Sequence, residues 1–302
     1  MSTATLPRIA LIGFGEAGGI LGADLAAQGC TVAAYDRLVN MPANRDLLLA
    51  KAEQAQVRLA LTAAEAAQGA DWVISAVTAG SALEVAAEVA PLLRAGQVFI
   101  DINSVAPNTK RSACGLIEAG GAHYIDAAVM APVPPKRLKT PILLGGGQAA
   151  ELAPRLLALG MNARVVSDAI GVASAIKMCR SIMIKGLEAL TAESMATARR
   201  YGAETEVLRS LHQSFPEMGW DGAQPHYLIS RIAEHGRRRA EEMEEVAKTT
   251  ADVGITPHMS QATVQSQRGL VDAMAALGLS YDQLEPFDWT HLADTLAAAR
   301  NV

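Results

Sequence analysis

The segment from Ser174 to Glu188 reads SAIKMCRSIMIKGLE, and its polar residues recur at helical spacing. At about 100° per residue, Ser174, Lys177, Ser181, Lys185 and Glu188 share an arc of about 80°. Most of the remaining surface is apolar: Ala175, Ile176, Met178, Cys179, Ile182, Met183, Ile184 and Leu187. Such a helix is buried on several sides, and its narrow stripe must face something wet. At a domain junction a ligand cleft meets that need. Desolvation in a cleft lowers a lysine's pKa and suits it to proton transfer. Lys177 stands farther from Glu188 and is the candidate proton carrier. Lys185 reads equally well as the ion-pair partner of Glu188. Arg180, at the edge of the stripe, serves either an anionic substrate or a surface salt bridge.

A second site stands near the N-terminus. Gly13-Phe14-Gly15-Glu16-Ala17-Gly18 follows a predicted strand and opens a predicted helix. Gly13 allows a tight turn, Gly15 lets the backbone approach a pyrophosphate, and Gly18 permits close packing of helix on strand. The phosphates would lie at the positive end of the helix dipole. Asp36 ends the next strand, where a carboxylate reaches an adenosine ribose. It favours NAD because it repels the 2′-phosphate of NADP. Arg37 follows it and leaves NADP open.

These groups need a scaffold. The first half alternates short β-branched runs with alanine-rich helical stretches, the pattern of a parallel sheet covered by helices. Strands are predicted at 9–12, 31–35, 57–59, 72–77, 98–102, 123–126 and 142–144, with 164–166 closing the sheet. Helices are predicted at 17–28, 81–93, 107–119 and 149–159. From Asp168 onward only helical spacing persists, so a boundary is expected near 165–170. Between Tyr227 and Asp252, Ile229, Ile232, Gly236, Ala240, Met243 and Ala247 form one amphipathic face. The charged run opposite, Arg237-Arg238-Arg239 with Glu241-Glu242 and Glu244-Glu245, is expected to be a solvated face.

Composition narrows the function classes. The 302 residues exceed one average domain, and 50% are hydrophobic against 19% charged, so the chain can fill a core. A net charge of −5 argues against general nucleic-acid binding. Cys30, Cys114 and Cys179 lie too far apart for a CxxC pair, which fits a reducing compartment. No run approaches a membrane span, and residues 1–8 lack a signal pattern, so a cytoplasmic protein without membrane partners is expected.

Together these pieces resemble the β-hydroxyacid dehydrogenase superfamily, which includes 3-hydroxyisobutyrate and 6-phosphogluconate dehydrogenases. The resemblance runs through the glycine turn and Asp36, then Asp101-Ile102-Asn103-Ser104-Val105-Ala106-Pro107, Asp126-Ala127-Ala128-Val129, and Gly171 to Ser181, covering roughly residues 8–200 in order. It implies a Rossmann-type domain over 1–167 and an all-α substrate and dimerisation domain over 168–302, as in a less characterised branch of the superfamily. It also implies that Lys177 is the catalytic lysine. Val77 and Thr78 would pass near the nicotinamide ribose, with Asn103 and Ser104 close to nicotinamide and substrate. Two positions depart from the pattern. Ser181 replaces the usual asparagine four residues after the lysine, and Met130-Ala131-Pro132 replaces a Ser-Gly-Gly that holds the substrate carboxylate.

The cations Lys136, Arg137 and Lys139, in the stiff loop after Pro132, can supply an anion site or simply be solvated. Trp220, Asp221, His226, Tyr227, His235 and His258 are substrate contacts or ordinary core and surface residues. His212 and His291 have no metal spacing, and no metal site is expected. The resulting reading is an NAD(P)-dependent dehydrogenase or reductase acting on the CH–OH group of a small molecule, expected to be a β-hydroxy acid, and a homodimer. Two alternatives stay open: an imine reductase on the same fold, and a non-catalytic dinucleotide-binding sensor.

Overall fold

The computed structural model describes residues 6–299. The extreme ends of the two expected domains, and most of the segment read for a signal, lie outside the described residues. The chain divides into two compact units, Met1–Met178 and Cys179–Val302. The last strand ends at Ser167, and the division between the units falls later, within a long helix.

The first unit is built on one eight-stranded sheet in the order β3-β2-β1-β4-β5-β6-β7-β8. Its strands are β1 (Arg8–Ile12), β2 (Thr31–Tyr35), β3 (Arg58–Leu59), β4 (Trp72–Ser75), β5 (Val98–Asp101), β6 (His123–Val129), β7 (Pro141–Gly145) and β8 (Asn162–Ser167). β4 is buried at every position, as a strand covered on both faces must be. One face carries α1 (Glu16–Ala27), α2 (Pro42–Gln54) and α7 (Ala149–Ala158), which contribute Leu21, Leu25, Leu48, Leu152 and Leu156 to the core. The opposite face carries α3 (Ala63–Ala67), α4 (Ala82–Val89) and α5 (Pro107–Glu118), with Ala66, Ala86, Val89, Ala113 and Ile117 packed on Val73 and Phe99.

All eight expected strands form, with small shifts at their ends. β4 stops at Ser75, short of Val77, and β6 continues to Val129. Neither α2 nor α3 was expected from periodicity. The sheet is parallel except that β7 runs antiparallel to β6. The connection between them holds a short helix, α6 (Val133–Lys136), and one 3-10 turn (Arg137–Lys139), and is too short for a parallel crossover. Strand order reverses between β1 and β4, so the glycine turn after β1 lies at a switch point, where open α/β sheets bind ligands.

Helix α8 (Val172–Tyr201) starts in the first unit, and the second unit continues with α9 (Glu204–Ser214), α10 (Gln224–Asp252), α11 (His258–Ala276) and α12 (Trp289–Ala299). Among the described residues of this unit no strand forms. α10 buries Ile229, Ile232, Gly236, Ala240 and Met243 as expected, together with Val246 in place of Ala247. A β-carbon on Gly236 would stand 2.5 Å from the carbonyl oxygen of Gln267, so α10 and α11 meet there backbone to backbone. No helix among the described residues is long and apolar enough to cross a membrane.

Candidate active site

The glycine turn adopts the geometry its residues foretell. Gly13 has φ +97°, and a β-carbon there would lie 2.3 Å from the carbonyl oxygen of Ala76. A β-carbon on Gly18 would lie 2.1 Å from the carbonyl oxygen of Gly13, so only glycine lets α1 pack this closely on the turn. Gly15 has open space around the equivalent position and caps α1 without any side-chain hydrogen bond. The N–H groups of the first helical turn, from Glu16 and Ala17 onward, have no intrahelical acceptor. This cradle fits a dinucleotide pyrophosphate.

The side chain of Phe14 is fully buried, so its contribution to the turn runs through its backbone. Its N–H donates to Asp36 Oδ2 at 2.8 Å, while Leu38 N–H donates to Asp36 Oδ1 at 3.0 Å. A carboxylate offers about four acceptor sites, so Asp36 keeps capacity for ribose hydroxyls after serving both amides. Arg37 is exposed beside it. The turn has a further support that sequence reasoning missed. Lys51 on α2 donates from Nζ to the carbonyl oxygens of Phe14 and Gly15, each at 2.8 Å, and lies over the Phe14 ring. Burial pulls the Lys51 ammonium below its usual pKa, partly opposed by Asp36 and Glu16. The only sequence signal was a lysine on a helix of weak amphipathicity.

Past β4, Val77 N–H donates to Asn103 Oδ1 at 2.7 Å, and Asn103 Nδ2 donates to Ser75 Oγ at 2.9 Å. Asn103 thereby ties the turn after β4 to the loop after β5. Thr78 is exposed and its hydroxyl donates to Ser81. The neighbouring Ser104 accepts a hydrogen bond from Lys177 Nζ. Residues 73 positions apart in sequence thus meet, and both belong to the first unit.

The start of α8 explains how Lys177 is placed. Gly171 N–H and Ser174 N–H donate to Asp126 Oδ2 at 3.1 and 3.0 Å, and Ser174 Oγ donates to the same oxygen at 3.1 Å. The carboxylate at the middle of β6 therefore caps the positive end of α8. Ser174, the first member of the polar stripe, is committed to this cap. Met130 is half-buried against Ala128, Leu143 and Ala173, so the departure from Ser-Gly-Gly begins with an apolar contact to α8. Ala131 is half-buried and Pro132 is exposed ahead of α6. Of the basic loop, which is exposed at all three cations, Arg137 pairs with Asp24 on α1, its Nη2 reaching Oδ1 at 2.5 Å.

The later part of the stripe, in the second unit, faces charged helices rather than open water. Ser181 is buried and accepts from Lys185 Nζ at 3.3 Å, and Lys185 pairs with Glu242 at 2.9 Å. Glu188 pairs with Arg239 at 2.7 Å and accepts from Gln267 Nε2 at 3.2 Å. Burial pushes the Glu188 carboxyl above its usual pKa despite Arg239 and Lys185. Two expectations change here. Lys185 finds its carboxylate on α10 rather than at Glu188, and the charged run of α10 is not wholly solvated, because Arg239 and Glu242 turn toward α8. A stripe with buried charges needs partners of opposite sign, and α10 supplies them.

The remaining candidates in the second unit are scattered. Trp220 is buried, His212 lies 3.1 Å from Asp221, and His226 meets Phe287 edge-on. His235 lies 3.3 Å from Glu234. Tyr227, His258 and His291 are exposed.

A sheet with this strand order, a glycine cradle at its switch point and a carboxylate after β2 define an NAD(P)-binding oxidoreductase fold. The family described as the NAD binding domain of 6-phosphogluconate dehydrogenase matches residues 8–167, and a domain of unknown function (DUF1932) matches 198–270. The chain is 29% identical to 3-hydroxyisobutyrate dehydrogenase of Pseudomonas aeruginosa, over 70% of this chain and 71% of that one. It is 30% identical to an uncharacterized 28.5 kDa protein of Methanothermus fervidus, over 64% and 73% respectively. A conserved hypothetical protein from Sinorhizobium meliloti 1021 superposes with a TM-score of 0.77 at 40% identity, covering 97% of each chain. The chain belongs to the β-hydroxyacid and 6-phosphogluconate dehydrogenase-like superfamily.

Proposed function

We propose that the chain is an NAD-dependent dehydrogenase or reductase acting on a hydroxylated small molecule of the β-hydroxy acid class, with Lys177 as the proton-transfer group. The observation that carries this reading is the hydrogen bond from Lys177 Nζ to Ser104 Oγ, beside an Asn103 amide held on both sides. When bound, the nicotinamide supplies or accepts the hydride. In the oxidative direction Lys177 Nζ, in its neutral form, takes the proton of the alcohol. In the reductive direction its ammonium gives that proton to the carbonyl oxygen. Ser104 orients the reacting oxygen, and Asn103 keeps Ser104 and the Val77 turn in register. The similarity to 3-hydroxyisobutyrate dehydrogenase supports an acid substrate.

Residues 1–167 serve as the dinucleotide domain in this reading, and 168–302 as the substrate and dimerisation domain. Exposed apolar side chains along α8 support a homodimer: Met183, Leu190 and Tyr201 are 74%, 56% and 83% exposed. Met130, Ala131 and Pro132 remain the proposed substrate side in the first unit, and Ser181 remains a proposed substrate contact in the second. A second reading, imine reduction, draws support from Met130, which packs apolar where the family pattern has a serine that helps hold the substrate carboxylate.

The test is a panel of three- to six-carbon hydroxy acids, with matched amines, assayed with NAD on the wild type and Lys177→Met. A hydroxy acid should be turned over, and the variant should lose about 100-fold or more in the hydride-transfer rate, the usual scale of general acid–base catalysis. Turnover of amines alone would favour the second reading. Cofactor binding without turnover of any member would favour a sensor.

A further inference from the structure

Lys110, on α5, is fully buried, and its ammonium stands between two buried carboxylates. Nζ lies 2.9 Å from Asp101 Oδ1 and 3.7 Å from Asp126 Oδ1, and it donates to the backbone carbonyl oxygen of Asp101 at 2.7 Å. Each carboxylate has a second task. Asp101 Oδ1 accepts from Asn103 N–H at 2.8 Å, and Asp101 Oδ2 accepts from the Tyr124 hydroxyl at 2.6 Å. Asp126 Oδ2 caps α8, and Asp126 Oδ1 has no hydrogen-bond partner, so Lys110 is the cation that balances it. Asp101 therefore fixes the loop that presents Ser104, and Asp126 fixes the helix that presents Lys177.

We propose that Lys110 is a positioning residue for the Ser104–Lys177 pair, holding loop and helix in register through its two carboxylates. The proposal rests on the reading of Lys177 as the proton-transfer group. Without the ammonium two carboxylates would share an apolar interior with no cation between them, an arrangement that drives them apart. Their separation moves the loop after β5 relative to the start of α8. The glycine cradle is held separately, by Asp36 and Lys51, so this mechanism does not act on the turn that receives the pyrophosphate.

The experiment compares full-length wild type with Lys110→Met and Lys110→Met/Asp126→Asn. The double variant removes one of the two carboxylates and keeps the fold testable if the single variant fails to form. Trace acetylation with acetic anhydride, read by mass spectrometry, reports the reactivity of Lys177 with Lys51 as an internal reference, and fluorescence titration reports NADH affinity. The expected result is a Lys177 acetylation rate changed at least fivefold, with Lys51 reactivity within twofold of wild type and any loss of NADH affinity smaller than the change at Lys177. For the panel acid that the wild type turns over, kcat is expected to fall at least tenfold and KM to change less. Unchanged Lys177 reactivity and unchanged kcat in a folded variant would overturn the proposal, as would equal changes at Lys177 and Lys51. If the wild type turns over nothing in the panel, the dehydrogenase reading fails by itself, and the acetylation rates still decide whether Lys110 places Lys177.

Discussion

The Lys51 ammonium donates to the Gly15 carbonyl oxygen at 2.8 Å, across 36 residues of sequence, and so clamps the turn that opens α1. A charge-assisted hydrogen bond contributes about 1.5–3 kcal/mol, less when the donor is partly exposed as here. Lys51→Met is therefore expected to lower NADH affinity about five- to tenfold and to reduce the unfolding temperature modestly. Isothermal titration of NADH checks this, and an unaltered dissociation constant would show that the turn holds its shape without the clamp.

Asp36 predicts cofactor choice. Thermal unfolding with each dinucleotide at about one hundred times its dissociation constant should show a stabilisation of about 2.7 kcal/mol. We expect the wild type to reach it at lower NADH than NADPH. In Asp36→Ala, NADH affinity should fall and the NADH-to-NADPH preference should shift toward NADPH by about tenfold, since the repelling charge is gone while Arg37 stays. A wild type that prefers NADPH would mean that Arg37 outweighs Asp36.

Gly236 sets the approach of α10 to α11. In Gly236→Ala the new methyl group would meet the Gln267 carbonyl oxygen at 2.5 Å and Val271 Cγ1 at 2.7 Å, both parts of a packed helix pair. Overpacking of this kind costs about 1–3 kcal/mol. Urea unfolding should show a lower midpoint, and a midpoint equal to wild type would show that the helices part easily.

Glu188 gives a pH dependence of definite sign. Burial raises its carboxyl above the ordinary 4.5, so between 4.5 and the raised value the folded chain keeps a proton there that the unfolded chain has released. Stability from this group is greatest below 4.5 and is lost as pH rises through the raised value. The stability of wild type relative to Glu188→Gln should thus decline as pH rises from 4.5, then level off. Urea unfolding at a series of pH values checks it, and a difference that grows with pH would mean that pairing with Arg239 outweighs burial.

The glycine turn, the eight strands and the polar stripe of α8 were legible in sequence because each depends on short-range rules. Gly13 and Gly18 are glycines for reasons of local sterics, β-branched runs define strands, and the stripe from Ser174 to Glu188 follows from helical period alone. The superfamily resemblance likewise rests on contiguous segments. Tertiary structure decided what those segments touch. That Lys51 supports Gly15, that Lys110 stands between Asp101 and Asp126, and that Arg239 turns inward to Glu188 are pairings between residues far apart in sequence. A charged side chain looks alike in sequence whether solvated or buried. Only the packed fold, which withdraws water and leaves a nearby counter-charge as the remaining partner, determines which role it takes.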